Sequence, residues 1–256
     1  MRLGVFCAAV LSAICFCFAG SGLAYATNVA NWEKSARSWN NSHMSTIKAA
    51  VTAAGHKVLA DAPINDQTLL AGVFIMGEPI AAPTAAEAAK LHDYVQNGGI
   101  VLVFGDTGID LPTYNGLLAG IGSSIQYTTS TVGTSSALPE GMFTGAPSKI
   151  AGGTLTVTSG NGTSGGTLID SNYVRYERLG NGYVFVFGDR IDHNEVISPT
   201  NTTLLLNIVA VAPESPLLVP TLSEWALAAL ALLLAGVAAL HAARRAVPAS
   251  NRPRRR

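Results

Sequence analysis

Three short runs, GVFIMG (Gly72 to Gly77), GIVLVFG (Gly99 to Gly105) and GYVFVFG (Gly182 to Gly188), are apolar at every position between their glycines. A strand turns successive side chains to opposite faces, so a run with no polar alternation needs apolar cover on both sides. Each run has the length of a strand and is too short for a helix. Helices packed on both faces of a largely parallel sheet meet that need, which makes the chain an α/β protein.

The intervening segments supply such helices. Thr84 precedes Glu87 by the three residues of a capping box; Ala88, Leu91 and Val95 then share a face until Gly98-Gly99 ends the helix. Ser42 to Ala54 reads as a second helix with Met44, Ile47, Val51 and Ala54 on one stripe, closed by Gly55, and Lys57 to Ala60 as a strand after it. A last helix starts near Ser198-Pro199 and buries Leu204, Leu205, Ile208 and Val209. Tyr173 to Leu179 alternates and meets GYVFVFG across Gly180-Asn181-Gly182, a hairpin signal. From Gly122 to Thr167 the chain is rich in Ser, Thr and Gly; it holds short strands such as Thr154 to Thr158 or forms a surface loop, and carries no recognisable chemistry.

Both ends of the chain read as targeting segments. Arg2 precedes an apolar run from Leu3 to Ala19, and Ala24-Tyr25-Ala26 places small residues where a signal peptidase needs them, so residues 1–26 form a signal peptide cleaved after Ala26. Cys7, Cys15 and Cys17 all fall in this leader. The mature chain then has no thiol, which excludes disulfides, a Cys nucleophile and Cys-ligated metal. Near the other end, Trp225 to Ala243 is apolar apart from one His and is long enough, at about 1.5 Å per residue, to cross the hydrocarbon core of a bilayer as one transmembrane helix. Arg244, Arg245 and the arginines of the 246–256 tail stay on the cytoplasmic side, which puts the N-terminal bulk in the periplasm. The chain thus divides into the leader, an exported domain over 27–212, a Pro-rich linker over 213–218, a motif and span over 219–245, and a basic tail.

The order Val219-Pro220-Thr221-Leu222-Ser223-x-Trp225, then a span, then Arg-Arg resembles the IPTL-CTERM protein-sorting signal of Gram-negative bacteria, with Val219 for the usual Ile and Ala226 for the usual Gly. The resemblance implies an exosortase-type membrane enzyme as partner, cleavage near the motif and passage towards the cell surface. It covers the tail alone.

Charge separates the two parts. Arg2, the six tail arginines and Glu224 taken from 16 basic and 16 acidic residues leave 9 against 15, a balance of −6 for the exported part. That argues against nucleic acid or anionic lipid as its partner and suits cations or neutral glycans, an envelope polysaccharide among them.

The three central runs end alike, at Glu78, Asp106 and Asp189, each directly after a glycine; two continue to an Ile-Asp pair, VFGDTGID ending at Asp110 and VFGDRID ending at Asp192. Parallel neighbours would gather these carboxylates on one rim, where open α/β sheets place ligands. Glu78, Asp106, Asp189 and Asp192 are therefore candidates for a ligand or cation rim, and Asp106, Asp189 and the nearby His193 are the catalytic candidates. The competing reading is local: glycine permits a tight turn, and Asp caps the turn or helix next to it. No cofactor is indicated beyond a divalent cation on that rim, since His43, His56, His92 and His241 match no metal-ligand spacing. Trp32 and Trp39 either stack on a sugar or anchor the first helix.

The sequence AAGHKV, then FIMGE, then LHDYVQNGGIVLVFGD, and finally VFGDRID with TNTTLLLNIV resembles the class I glutamine amidotransferase-like, flavodoxin-like superfamily in its non-amidotransferase branches. The resemblance implies a mostly parallel flavodoxin-like sheet with a Ser/Thr/Gly-rich β or loop insertion. The amidotransferase elbow Cys is replaced by Gly105-Asp106-Thr107-Gly108, which excludes that reaction although His193-Asn194-Glu195 spells its His-x-Glu pair. Thr107 as nucleophile would need an adjacent base. The expectation is a non-catalytic binding or structural protein of the envelope; the alternative is an envelope hydrolase, acting on carbohydrate, that uses the acidic rim.

Overall fold

The computed structural model describes residues 26–132, 141–150, 154–157, 159–170, 173–191 and 199–212, with five further helical residues between 231 and 236. The chain divides into two units, Met1–Leu217 and Leu218–Arg256.

In the first unit, β1 (Asn28–Trp32), β2 (Lys57–Ala62), β3 (Val73–Gly77), β4 (Ile100–Phe104) and β9 (Gly182–Phe187) run parallel, and β8 (Val174–Leu179) and β7 (Thr167–Asp170) add antiparallel strands at one side. The sheet order is β2-β1-β3-β4-β9-β8-β7. Its five parallel strands follow the 2-1-3-4-5 order of flavodoxin-like sheets. A separate antiparallel pair, β5 (Gln126–Val132) with β6 (Gly160–Ser164), lies in the Ser/Thr/Gly-rich region.

The apolar runs occupy the middle of the sheet, as double-sided burial requires. Val73, Ile75, Ile100, Leu102, Phe104, Phe185 and Phe187 join one core with α1 (Ser45–Ala53), the short α4 (Met142–Gly145) and α5 (Pro199–Ala210). Phe74, Met76, Val101, Val103, Val184 and Val186 join the other with α2 (Ala85–Gln96) and α3 (Leu111–Ile121). Each large side chain so buried contributes about 1.5–3 kcal/mol. Thr84 caps α2 in a complete capping box with Glu87. Burial opposes ionisation of Glu87, but hydrogen bonds from Thr84 and the charge of Lys34 outweigh it and hold the carboxyl below its ordinary value.

Several segments differ from their sequence reading. Asn28 to Trp32 is a central strand, disguised by Asn31, whose side-chain N–H groups donate to Asp61 Oδ1 (2.7 Å) and the Arg37 carbonyl (2.9 Å). Trp32 and Trp39 are core residues, which leaves neither indole a face for sugar stacking. Ala54 lies exposed beyond the end of α1, off the predicted stripe. Residues 154–157 form no strand, whereas Gln126–Val132 and Gly160–Ser164 do. Helix α3 has no counterpart in the sequence reading. Among the described residues no helix is long and apolar enough to cross a membrane; most of Trp225–Ala243 and nearly all of the leader lie outside them.

The chain enters the fold at Thr27, whose N–H donates to His56 Nδ1 (3.2 Å) and whose carbonyl accepts from Lys57 N–H (3.0 Å). His56 accepts as the neutral imidazole, and its burial pushes its pKa below the ordinary value of 6.5. The unfolded chain therefore takes up this proton more readily than the folded one, so the His56 contribution is whole above pH ~6.5 and is lost as pH falls below it. Thermal melts between pH 7.5 and 5.5 should show the native protein losing more stability than His56→Gln; parallel curves would refute the coupling.

Candidate functional site

The central strands β3, β4 and β9 carry no charged side chain between their glycines, because both faces are covered, so charge collects where they end. Register sets those ends level: Gly77 pairs with Phe104 and Phe104 with Phe187. The glycines that follow or close the strands serve close approach more than turning. A Cβ on Gly77 would lie 2.8 Å from Arg37 Cβ, one on Gly105 2.6 Å from the Tyr127 ring, and one on Gly188 2.1 Å from the Asn161 carbonyl oxygen. The left-handed residue of the rim is Glu78 itself, at φ 53°. That conformation costs an L-residue about 1–2 kcal/mol and persists where the surroundings hold it.

Two arginines hold it. Arg37 Nη2 lies 3.0 Å from Glu78 Oε1, with both side chains largely buried. The loop after β1 carries Arg37 to this place: Arg37 N–H donates to the Gly77 carbonyl (3.0 Å), Ala36 N–H to the Glu78 carbonyl (2.9 Å), and Gly77 N–H to Ser35 Oγ (3.1 Å). From the other side, Arg190 reaches Glu78 Oε1 through Nη1 (3.7 Å) and Asp106 Oδ2 through Nε (3.3 Å). Asp106 Oδ1 also accepts from Thr107 N–H (2.6 Å) and from the Thr107 hydroxyl (3.3 Å). Glu78 and Asp106 are thus brought together, bridged by a guanidinium.

Asp189 is placed differently. It is buried, and its carboxylate accepts from Arg190 N–H (2.8 Å) and from Ser159 N–H (3.2 Å), just before β6. It serves as a local cap under the β5–β6 pair and does not line the cleft at the rim. Asp192, His193 and Glu195 lie outside the described residues, as do Val219, Pro220, Thr221, Leu222, Ser223 and Trp225. Among the described residues no group of three or more His, Cys, Asp or Glu side chains is arranged to hold a metal ion. Glu78 and Asp106 have guanidinium groups where a divalent cation would sit, so the pair does not fit one.

Between the loops after β3 and β4 and the first turns of α3 lies a cleft of about 280 Å³, lined by Glu78, Ile80, Asp106, Asp110, Thr113 and Tyr114 among others. Asp110 receives the Thr113 hydroxyl. Tyr114 is 4% exposed, and its ring stands edge-on to Tyr127 with centroids 5.3 Å apart. Tyr127, from β5, donates its hydroxyl to the carbonyls of Phe187 (3.0 Å) and Val103 (3.3 Å), bridging the ends of β9 and β4. Burial first, then the negative charges of Glu78 and Asp106, push Tyr114 ionisation well above the ordinary range, against an opposing effect of Arg37. Its hydroxyl stays protonated at neutral pH.

Residues 219–246 match the IPTL-CTERM motif. A tail of this kind is a sorting signal processed by an exosortase-type enzyme and implies an exported, envelope-associated protein. No curated protein matches the chain. Among solved structures, the chain is similar to the mmIFT52 N-terminal domain, with 18% identity, a TM-score of 0.56, and coverage of 73% of this chain and 99% of that one. It is also similar to a β-galactosidase from Bacillus circulans sp. alkalophilus, with 11% identity, a TM-score of 0.50, and coverage of 72% of this chain but only 30% of that one. At these identities the likeness shows the fold alone. Neither structure is named as an amidotransferase, so the likeness supports the α/β sheet without extending to that superfamily assignment.

The sequence reading picked out the acids and missed Arg37, Arg190 and Tyr114. Arg190 had a signal, since it directly follows Asp189 within VFGDRID. Arg37 and Tyr114 had none, because their neighbours are set by tertiary packing. Arg190→Ala should cost about 1–3 kcal/mol in urea unfolding, as it takes the guanidinium from Asp106 Oδ2 and leaves Glu78 to Arg37 alone of the two arginines, and Arg190→Lys should recover only part because an ammonium lacks the guanidinium fork. A loss under about 0.5 kcal/mol would class these contacts with ordinary surface pairs. Gly77→Ala should cost about 1–3 kcal/mol through its collision with Arg37, read from the same unfolding curves.

Proposed function

We propose that this chain is an exported, surface-sorted binding protein of the cell envelope that performs no catalytic turnover. In this reading a leader over residues 1–26 is removed, the domain over 27–212 faces the periplasm, and the tail crosses the inner membrane until a sorting enzyme cuts near Val219 to Trp225. The observation that carries the non-catalytic reading is the pairing of Glu78 and Asp106 with Arg37 and Arg190. A general acid or base needs a carboxylate oxygen that meets its substrate, and Glu78 Oε1 and Asp106 Oδ2 are each turned to a guanidinium instead. Thr107 is the one hydroxyl beside Asp106 that the nucleophile reading could use, and the carboxylate it donates to is already engaged by Arg190.

The full chain, purified in detergent, should release no product from glycosides, esters or amides above background. Turnover that disappears in Asp106→Ala or Asp189→Ala would replace this reading with that of an envelope hydrolase using the rim. For the sorting step, mass spectrometry of the surface fraction should find a C-terminus near Val219 to Trp225. An intact Arg256 found solely in the inner membrane would make the tail a permanent anchor.

A further inference from the structure

The cleft beside the arginine-bound carboxylates has a polar inventory narrow enough to select a ligand class. Tyr114 is buried, lines the cleft, and makes no hydrogen bond through its hydroxyl among the described residues. Its oxygen is not among the sealed, unpartnered polar atoms of the described residues, so the hydroxyl opens to the cleft and can donate to a ligand there. One helical turn earlier, at the N-cap of α3, Asp110 also lines the cleft; among the described residues its carboxylate receives the Thr113 hydroxyl alone, and a carboxylate offers about four acceptor positions. Ile80, 70% exposed, and Ile109 add apolar wall.

Charge narrows the choice. Glu78, Asp106 and Asp110 line the cleft and repel an anion, whereas Arg37 and Arg190 neutralise two of the three and occupy the place a hard cation would take. The volume, about 280 Å³, falls just under the roughly 300–1,000 Å³ range of drug-sized ligands and suits one small ring. We infer that the cleft binds a neutral, hydroxyl-rich ligand, one sugar unit of a glycan, with Tyr114 donating to a ligand oxygen, Asp110 accepting from ligand hydroxyls and Ile80 resting on the C–H face of the ring. This rests on the non-catalytic binding reading above and names its ligand.

The test is saturation-transfer NMR on the full chain in a detergent without sugar head groups. Methyl glucoside, methyl galactoside and methyl mannoside are the neutral probes, and glucuronate and glucosamine the charged ones. At least one neutral probe should bind, glucuronate should bind more weakly, and Tyr114→Phe should weaken the neutral probe about three- to tenfold, the worth of one hydrogen bond. Tyr114→Phe keeps the ring against Tyr127, and a thermal melt checks its folding; Asp110→Asn gives a second variant with the same expected direction. Binding of glucosamine alone, binding of no neutral probe, or a neutral probe indifferent to both variants overturns the ligand assignment. Hydrolysis of the corresponding nitrophenyl glycosides would overturn the non-catalytic reading instead, so the two failures are told apart.

Discussion

The constraint on which the rest depends is the burial of β3, β4 and β9 on both faces. All five residues of β3 and of β4 are buried, and the alternating sides of these strands feed two separate cores. A strand in that position has no place for a charge along its length. Each charged group the segment carries is displaced to its end, and parallel strands in level register deliver those ends to one rim. The acidic rim is therefore a consequence of the core before it is a feature of a site.

What the core does not dictate is how the rim is neutralised. The arginines come from outside the acidic segments: Arg37 from the loop after β1, Arg190 from the turn after β9. Close backbone approach makes this possible. Gly77 has Arg37 against it, and Gly105 has Tyr127, so a side chain at either glycine would push away the group that completes the rim. The expectation that these glycines serve tight turns gives way to one in which they serve contact, and the unusual backbone angle falls on Glu78.

The legible parts of the fold were those with strong local periodicity or an explicit stop: the three apolar strands, the capped helix α2, the Gly180 hairpin and the leucine-rich α5. Strand β1 escaped because Asn31 breaks its apolar run, and that Asn is satisfied by Asp61 and by the Arg37 carbonyl, partners a strand pattern does not announce. Strand β5 escaped because Ser and Thr fill most of it and Tyr127 alone enters the core as a large side chain. The site shows the same division. Glu78 and Asp106 could be placed together from strand ends and chain order, whereas the separation of Asp189 depends on Ser159, and Tyr114 depends on a helix that periodicity did not reveal.

Glu78 joins these levels. A glycine at φ 53° would carry no steric penalty, and the preceding residue is already one. The chain instead has a glutamate in the left-handed region, where its carboxylate meets both arginines and its carbonyl receives Ala36 N–H. Through that one residue the loops after β1, β3 and β9 are tied together, and through Arg190 the loop after β4 is added. Four of the five parallel strands thus end in one connected polar layer. Such a layer suits a binding rim better than a catalytic one: it fixes the cleft wall in one geometry and turns carboxylate oxygens of Glu78 and Asp106 to guanidinium groups, while a proton-transferring site needs such an oxygen turned to its substrate.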